Sequence, residues 1–109
     1  MTDRDKYKVI RDLTEGVEHM RQKRIVHRDL KLENIMVRIN PDKSKDYVIT
    51  DFGLACWIGE KDLLYERCGT PGYIAPEILK ATKTKVIVAH SSDVFSLGVI
   101  FHFVYQCSY

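Results

Sequence analysis

The stretch from Val94 to Val104 limits what this chain can fold into more than any other part of it. Val94, Phe95, Leu97, Val99, Ile100, Phe101, Phe103 and Val104 make a helix here apolar nearly all round. Such a helix has no face to offer water and belongs in the centre of a core. Ser96 and His102 interrupt the run, and with Tyr105 it is still too short to span a bilayer. Ser92 or Asp93 supplies a cap for its start. The remainder of the 109 residues has to provide the surfaces that cover it, which sets the chain at one domain with a moderate core.

One covering surface is evident near the N-terminus. Val9, Ile10, Leu13, Val17 and Met20 recur at steps of three and four between Tyr7 and Gln22, with Lys8, Arg11, Asp12, Glu15 and Glu18 largely opposite. That spacing predicts an amphipathic helix. Gly16 inside it costs about 1 kcal/mol relative to Ala and implies either tolerance or close packing. Ile35-Met36-Val37 and Tyr47-Val48-Ile49-Thr50 are strand-like and flank a turn-rich tip from Asn40 to Asp46, which predicts a small hairpin. Leu54 to Tyr73 shows no sustained period and holds Gly59, Gly69, Pro71 and Gly72, so it reads as a long loop. Loops of that length in compact domains are usually functional or disordered. Pro76 to Leu79 can open a short helix. The pattern is α+β: mainly helical, with one hairpin and one long loop.

Charge excludes more than it identifies. Lys and Arg number 17 against 15 Asp and Glu, a formal charge of +2, which is no footprint for nucleic acid. The basic stretches Arg21 to Lys31 and Lys80 to Lys85 read as solvated faces, with Arg28 and Lys31 set apart below. Cys56, Cys68 and Cys107 are odd in number and lack CxxC spacing, which fits free thiols rather than a disulfide framework and sets the expectation of a reducing, intracellular location in the cytoplasm. The charged start of the chain is no secretory signal. Polar residues gather at 27–34 and at 51, beside the predicted hairpin. Asn34 and Asp51 offer hard oxygen ligands suited to magnesium, and Lys31 a cation for phosphate. Asp and Asn that merely cap local turns explain the same residues, and pattern alone favours that simpler account.

Motif order shifts the balance. His27-Arg28-Asp29-Leu30-Lys31-Leu32-Glu33-Asn34 resembles the catalytic loop of protein kinases, H-R-D-L-x-x-x-N, and Asp51-Phe52-Gly53 their metal-binding triplet. Ala75-Pro76-Glu77 is similar to the motif closing their activation segment, and Ser92 to Gly98 to the start of their central large-lobe helix. The resemblance runs from about residue 6 to 108. It implies a protein kinase-like fold, ATP and magnesium (Mg2+) as cofactors, and a protein substrate bearing Ser or Thr. Asp29 would be the base, Lys31 would balance charge on the transferred phosphoryl group, and Asn34 and Asp51 would hold magnesium. His27 and Phe52 would belong to one packed column, and Met36, Ile100 and Val104 to another on the adenine side. Asp93 would hold the catalytic-loop backbone, and Glu77 would pair with an arginine beyond Tyr109.

Lys31 together with Gly69-Thr70-Pro71-Gly72-Tyr73 resembles the Ser/Thr kinases, closest in flavour to calcium/calmodulin-dependent and phosphorylase-kinase-like enzymes. Thr70 would orient the catalytic loop and border the pocket for the residue after the target hydroxyl. Arg28 would normally meet a phosphate on the activation segment. No Ser or Thr stands between Asp51 and Cys68, and Glu66 occupies the comparable position, where a carboxylate partly replaces a phosphate. The ATP-gripping small-lobe motifs have no counterpart in these residues. The expectation is therefore an incomplete kinase domain over 1–109, a partial large lobe only, inactive by itself. The alternative is a catalytically dead kinase-like binding or regulatory module with an unidentified regulatory partner. Intact Asp29, Asn34 and Asp51 weigh against it.

Overall fold

The computed structural model describes residues 1–59 and 64–106. Its elements follow the chain as α1 (Asp3–Gln22), β1 (Ile25–Val26), a single 3-10 turn (Leu32–Asn34), β2 (Ile35–Ile39), β3 (Lys45–Ile49), β4 (Cys56–Trp57), β5 (Leu64–Glu66), α2 (Pro76–Leu79), β6 (Lys85–Ile87) and α3 (His90–Gln106). The strands form three antiparallel pairs, β1 with β4, β2 with β3 and β5 with β6. None of the helices among the described residues is long and apolar enough to cross a membrane.

Helix α1 begins at Asp3, four residues before the apolar period predicts. Thr2 and Asp5 form a capping box: the Asp5 N–H donates to Thr2 Oγ1 and the Thr2 N–H to Asp5 Oδ2, each at 3.1 Å. Two amide groups at the helix end are thereby satisfied without any apolar contact. Val9, Leu13 and Met20 are its buried positions, as the periodicity predicts. Val9 and Leu13 meet Leu30 and the Leu97, Ile100 and Val104 face of α3 in one cluster, with Ile35, Tyr47 and Ile49 of the hairpin packed against it. Gly16 marks the closest approach of α1 to the hairpin, since a Cβ there would sit 3.1 Å from Ile49 Cδ1. Close packing is thus the reason for this glycine.

The hairpin forms in the predicted place, with Ile35 opposite Ile49 and Ile39 opposite Lys45. At its tip the carboxylate of Asp46 accepts from Arg38, Asn40 and Lys8, which hold its pKa down at about 2. The segment after Gly53 differs from the predicted uninterrupted loop. Cys56 and Trp57 pair with β1, and Leu64–Glu66 pair with Lys85–Ile87. Two strands of two and three residues are too short for a periodic signal, and each is held by its partner.

Helix α3 starts at His90, so Ser92 and Asp93 lie inside its first turn and do not cap it from outside. Its buried side carries Asp93, Ser96, Leu97, Ile100 and Val104, while Val94, Phe95, Phe103 and Tyr105 remain exposed. The core therefore takes one side of a helix that is apolar on both.

Leu13 is fully buried between α1 and α3. Leu13→Ala should cost about 2–5 kcal/mol in urea unfolding, the usual range for a cavity at a packed leucine. Thr2→Ala, which removes only the cap, should cost about 1 kcal/mol.

Candidate active site

Asp93 fixes the site from below. Its Oδ2 accepts the His27 N–H at 2.7 Å and its Oδ1 the Arg28 N–H at 3.0 Å, although some 65 residues separate the partners. The side chain is buried, and burial pushes its carboxyl above the ordinary aspartate value, while the two N–H donors pull it partway back. Arg28 adopts φ +73°, a left-handed conformation costing about 1–3 kcal/mol for a residue with a Cβ. The bonds to Asp93 help to hold it there. The carboxylate predicted either to cap its own helix or to hold the catalytic loop therefore does the second.

His27 is fully buried beside Asp93 and secures the loop sideways. Its Nε2 lies 2.9 Å from the Thr50 carbonyl, and its Nδ1 accepts the Asp29 N–H at 3.1 Å. A carbonyl can only accept, so these bonds assign the proton to Nε2. The ring of Phe52 meets His27 edge-on at 4.9 Å, as predicted for a shared column. Ile100 and Val104 of the other predicted column lie in the core, whereas Met36 on β2 is largely exposed.

Above this frame Asp29, Lys31 and Thr70 close a triangle. Thr70 Oγ1 donates to Asp29 Oδ1 at 2.6 Å and accepts from Lys31 Nζ at 2.9 Å, while Lys31 Nζ stands 3.5 Å from Asp29 Oδ2. The threonine comes from the far side of the activation segment, 41 residues away. Gly69 lets it arrive: φ is +133°, and a Cβ would lie 2.9 Å from Ile74 Cγ1. Ser96 of α3 secures the same segment by donating to the Tyr73 carbonyl at 2.7 Å.

The predicted metal ligands sit at adjoining strand ends. Asn34 closes the 3-10 turn, and its Nδ2 donates to the Asp29 carbonyl at 2.8 Å. That bond occupies the amide nitrogen and reserves Oδ1 as an oxygen donor. The Thr50 N–H and hydroxyl both donate to the Asn34 carbonyl, at 2.8 and 3.0 Å, which sets Asp51 immediately beyond. Asp51 takes φ +59° with an exposed carboxylate, one oxygen of which accepts from Gly53 N at 3.3 Å. No cluster of three or more His, Cys, Asp or Glu suited to a metal occurs among the described residues. One carboxylate and one amide oxygen nevertheless fit magnesium, which keeps several waters and completes its shell with substrate phosphates.

Arg28 and Glu66 meet differently from the prediction. Arg28 Nη1 donates to the main-chain carbonyl of Glu66 at 2.8 Å, and its Nε to the Leu54 carbonyl at 2.8 Å. The Glu66 carboxylate is exposed and joins none of the ion pairs among the described residues. Its place on β5 explains this. Alternate side chains leave a strand on opposite faces, and Tyr65 takes the face towards Arg28. Sequence reasoning missed Thr50 and Tyr65. Neither belongs to a recognisable pattern, and both act through contacts distant along the chain. Cys56 and Cys68 are free thiols raised by burial, while Cys107 lies outside the described residues.

A buried carboxylate holding a loop that presents Asp29, Lys31 and Asn34, with Asp51 beside it, is the architecture of a kinase-type site, and sequence comparison agrees. The family model for the protein kinase domain matches residues 1–107. Calcium/calmodulin-dependent protein kinase type 1 of Macrobrachium nipponense is 38% identical over 108 residues, 99% of this chain and 29% of that protein. The liver/testis phosphorylase b kinase gamma catalytic chain of Bos taurus is 36% identical over 102 residues, covering 92% of this chain and 24% of that protein. Probable serine/threonine-protein kinase 2 of Plasmodium falciparum is 45% identical over 96 residues, covering 86% and 17%. This chain belongs to the protein kinase domain family, among relatives of the calcium/calmodulin-dependent and phosphorylase-kinase-like groups. It spans less than a third of the length of these relatives.

Asp93→Asn should leave one loop N–H facing an amide donor, at a cost of about 1–3 kcal/mol. The folded pKa of Asp93 is raised, so its stabilising contribution is complete below the unfolded aspartate value and lost as pH rises through the folded one. Urea midpoints should accordingly separate wild type from Asp93→Asn more widely at pH 4 than at pH 7.

Proposed function

We propose that this chain carries the phosphoryl-transfer half of a protein serine/threonine kinase site. The observation that carries the reading is the shared hydroxyl of Thr70, which holds one oxygen of Asp29 at 2.6 Å while binding Lys31. That leaves Asp29 Oδ2 to accept or orient the hydroxyl proton of a substrate Ser or Thr. Lys31 Nζ, 3.5 Å from this oxygen, serves as the cation for charge developing on the transferred group. Asn34 Oδ1 and the Asp51 carboxylate are the proposed magnesium ligands, and Met36 offers an apolar surface to adenine. Bound magnesium-ATP would supply the phosphoryl group and the cation that screens its charge.

Thr70 also borders the proposed pocket for the residue after the target hydroxyl, so one side chain would link substrate seating to the base. The substrate is a protein Ser or Thr. Residues 1–109 by themselves are proposed to turn over poorly, because the groups assembled here address the phosphoryl group and metal more than the nucleotide as a whole.

A chimera tests this reading. The 108-residue matching stretch of the Macrobrachium nipponense kinase is replaced by this chain, with circular dichroism checking its fold. The chimera should transfer phosphate from magnesium-ATP to a Ser/Thr peptide. Asp29→Ala should lower kcat on the order of 10²–10⁴-fold, the range for removing a general base. Asp51→Asn should raise the magnesium requirement. A folded chimera that transfers no phosphate, or an Asp29→Ala variant as fast as its parent, would contradict the proposal.

A further inference from the structure

Arg28 reaches from the catalytic loop into the activation segment, where it pairs with no carboxylate among the described residues. Besides the Leu54 and Glu66 carbonyls, its guanidinium meets the ring of Tyr65, with Cζ 5.4 Å from the centroid. A guanidinium over an aromatic face is attracted by the ring quadrupole without a formal anion. Tyr65 is tethered at its other end, where the hydroxyl donates to the Trp57 carbonyl at 3.0 Å. The ring thus lies between Arg28 and β4, and β4 is paired to β1 just before the catalytic loop.

What keeps Tyr65 in place is a second strand. Leu64 is 61% exposed, so β5 has little purchase on the core. It pairs instead with β6, Leu64 opposite Ile87, Tyr65 opposite Val86 and Glu66 opposite Lys85. The ladder continues as Arg67 N donates to the Thr84 carbonyl at 2.7 Å, and the Arg67 guanidinium donates to the Ala81 carbonyl. Beyond β6, Val88 is buried and the chain enters α3, which carries Asp93. The strand that supports Tyr65 and the carboxylate that holds the Arg28 backbone therefore belong to one continuous stretch.

We infer that β6 is a built-in brace for the activation segment, and that Tyr65 is a positioning residue which, held by this brace, fixes Arg28 and the catalytic loop without a phosphate on the segment. The absence of Ser and Thr between Asp51 and Cys68 fits such an uncharged device. The brace deepens the phosphoryl-transfer reading, and its catalytic meaning rests on that reading.

The test follows the Arg28 Nε–H by nitrogen-15 NMR in the full 109-residue chain, without nucleotide or substrate. Tyr65→Phe keeps the ring and should change Nε–H exchange by no more than about twofold. Tyr65→Leu keeps bulk but loses the quadrupole, and should speed that exchange on the order of fivefold. Val86→Pro should do the same from a distance. Arg67 bonds Thr84, so ladder alternation makes Tyr65 and Val86 the next bonded pair, and proline there removes a donor. The amides of α1 should stay protected in all three variants. Leu behaving like Phe at position 65, or a folded Val86→Pro chain with wild-type Arg28 exchange, would overturn the inference. If Val86→Pro unfolds the chain, the Leu and Phe pair still decides. Exchange is read without catalysis, so an inactive chimera would count against phosphoryl transfer and not against the brace.

Discussion

Two hydrogen bonds from the main chain of His27 and Arg28 to the buried carboxylate of Asp93 join the chemistry of this protein to its core. Bonds to a charged acceptor are worth about 1.5–3 kcal/mol each, enough to offset the left-handed backbone at Arg28 and part of the cost of burying Asp93. Asp93 lies on the helix whose Leu97, Ile100 and Val104 pack against Val9 and Leu13. The loop that presents Asp29 is therefore positioned by the same contacts that stabilise the domain. Loosening α3 would move Asp29.

From that anchor the site is built by side chains that each serve two partners. His27 bonds both Thr50 and Asp29, Thr50 holds Asn34 next to Asp51, and Thr70 joins Asp29 to Lys31. No side-chain polar atom that is fully buried among the described residues lacks a partner. A network satisfied to that degree is rigid because each unmade bond would leave a desolvated group behind. Rigidity suits the proposed phosphoryl transfer, a reaction in which protein contributes mainly positioning and electrostatics.

The sequence made the site more legible than the fold around it. Asp29, Lys31, Asn34 and Asp51 stand in short motifs whose order survives without knowledge of any contact. The helix α1 face and the hairpin were legible because their periods run long enough to register. The early start of α1 was not, because it depends on Thr2 and Asp5 bonding each other's backbone, outside the apolar pattern. The strands β4 and β5 were missed, since two or three residues cannot display alternation and their pairing partners are remote, whereas Lys85 to His90 reads as strand-like without showing which strand it pairs with. The same geometry decided Glu66. Its charge suggested a partner for Arg28, but strand alternation gave that face to Tyr65 and left Arg28 the Glu66 carbonyl.

Native-state hydrogen exchange of the wild-type chain tests the union of loop and core most directly. The His27 and Arg28 amides should exchange only as fast as the domain unfolds globally, together with the amides of Leu13 and Ile100. If they instead exchange as readily as Lys43 at the hairpin tip while α1 and α3 remain protected, the catalytic loop moves independently of the core and the account fails.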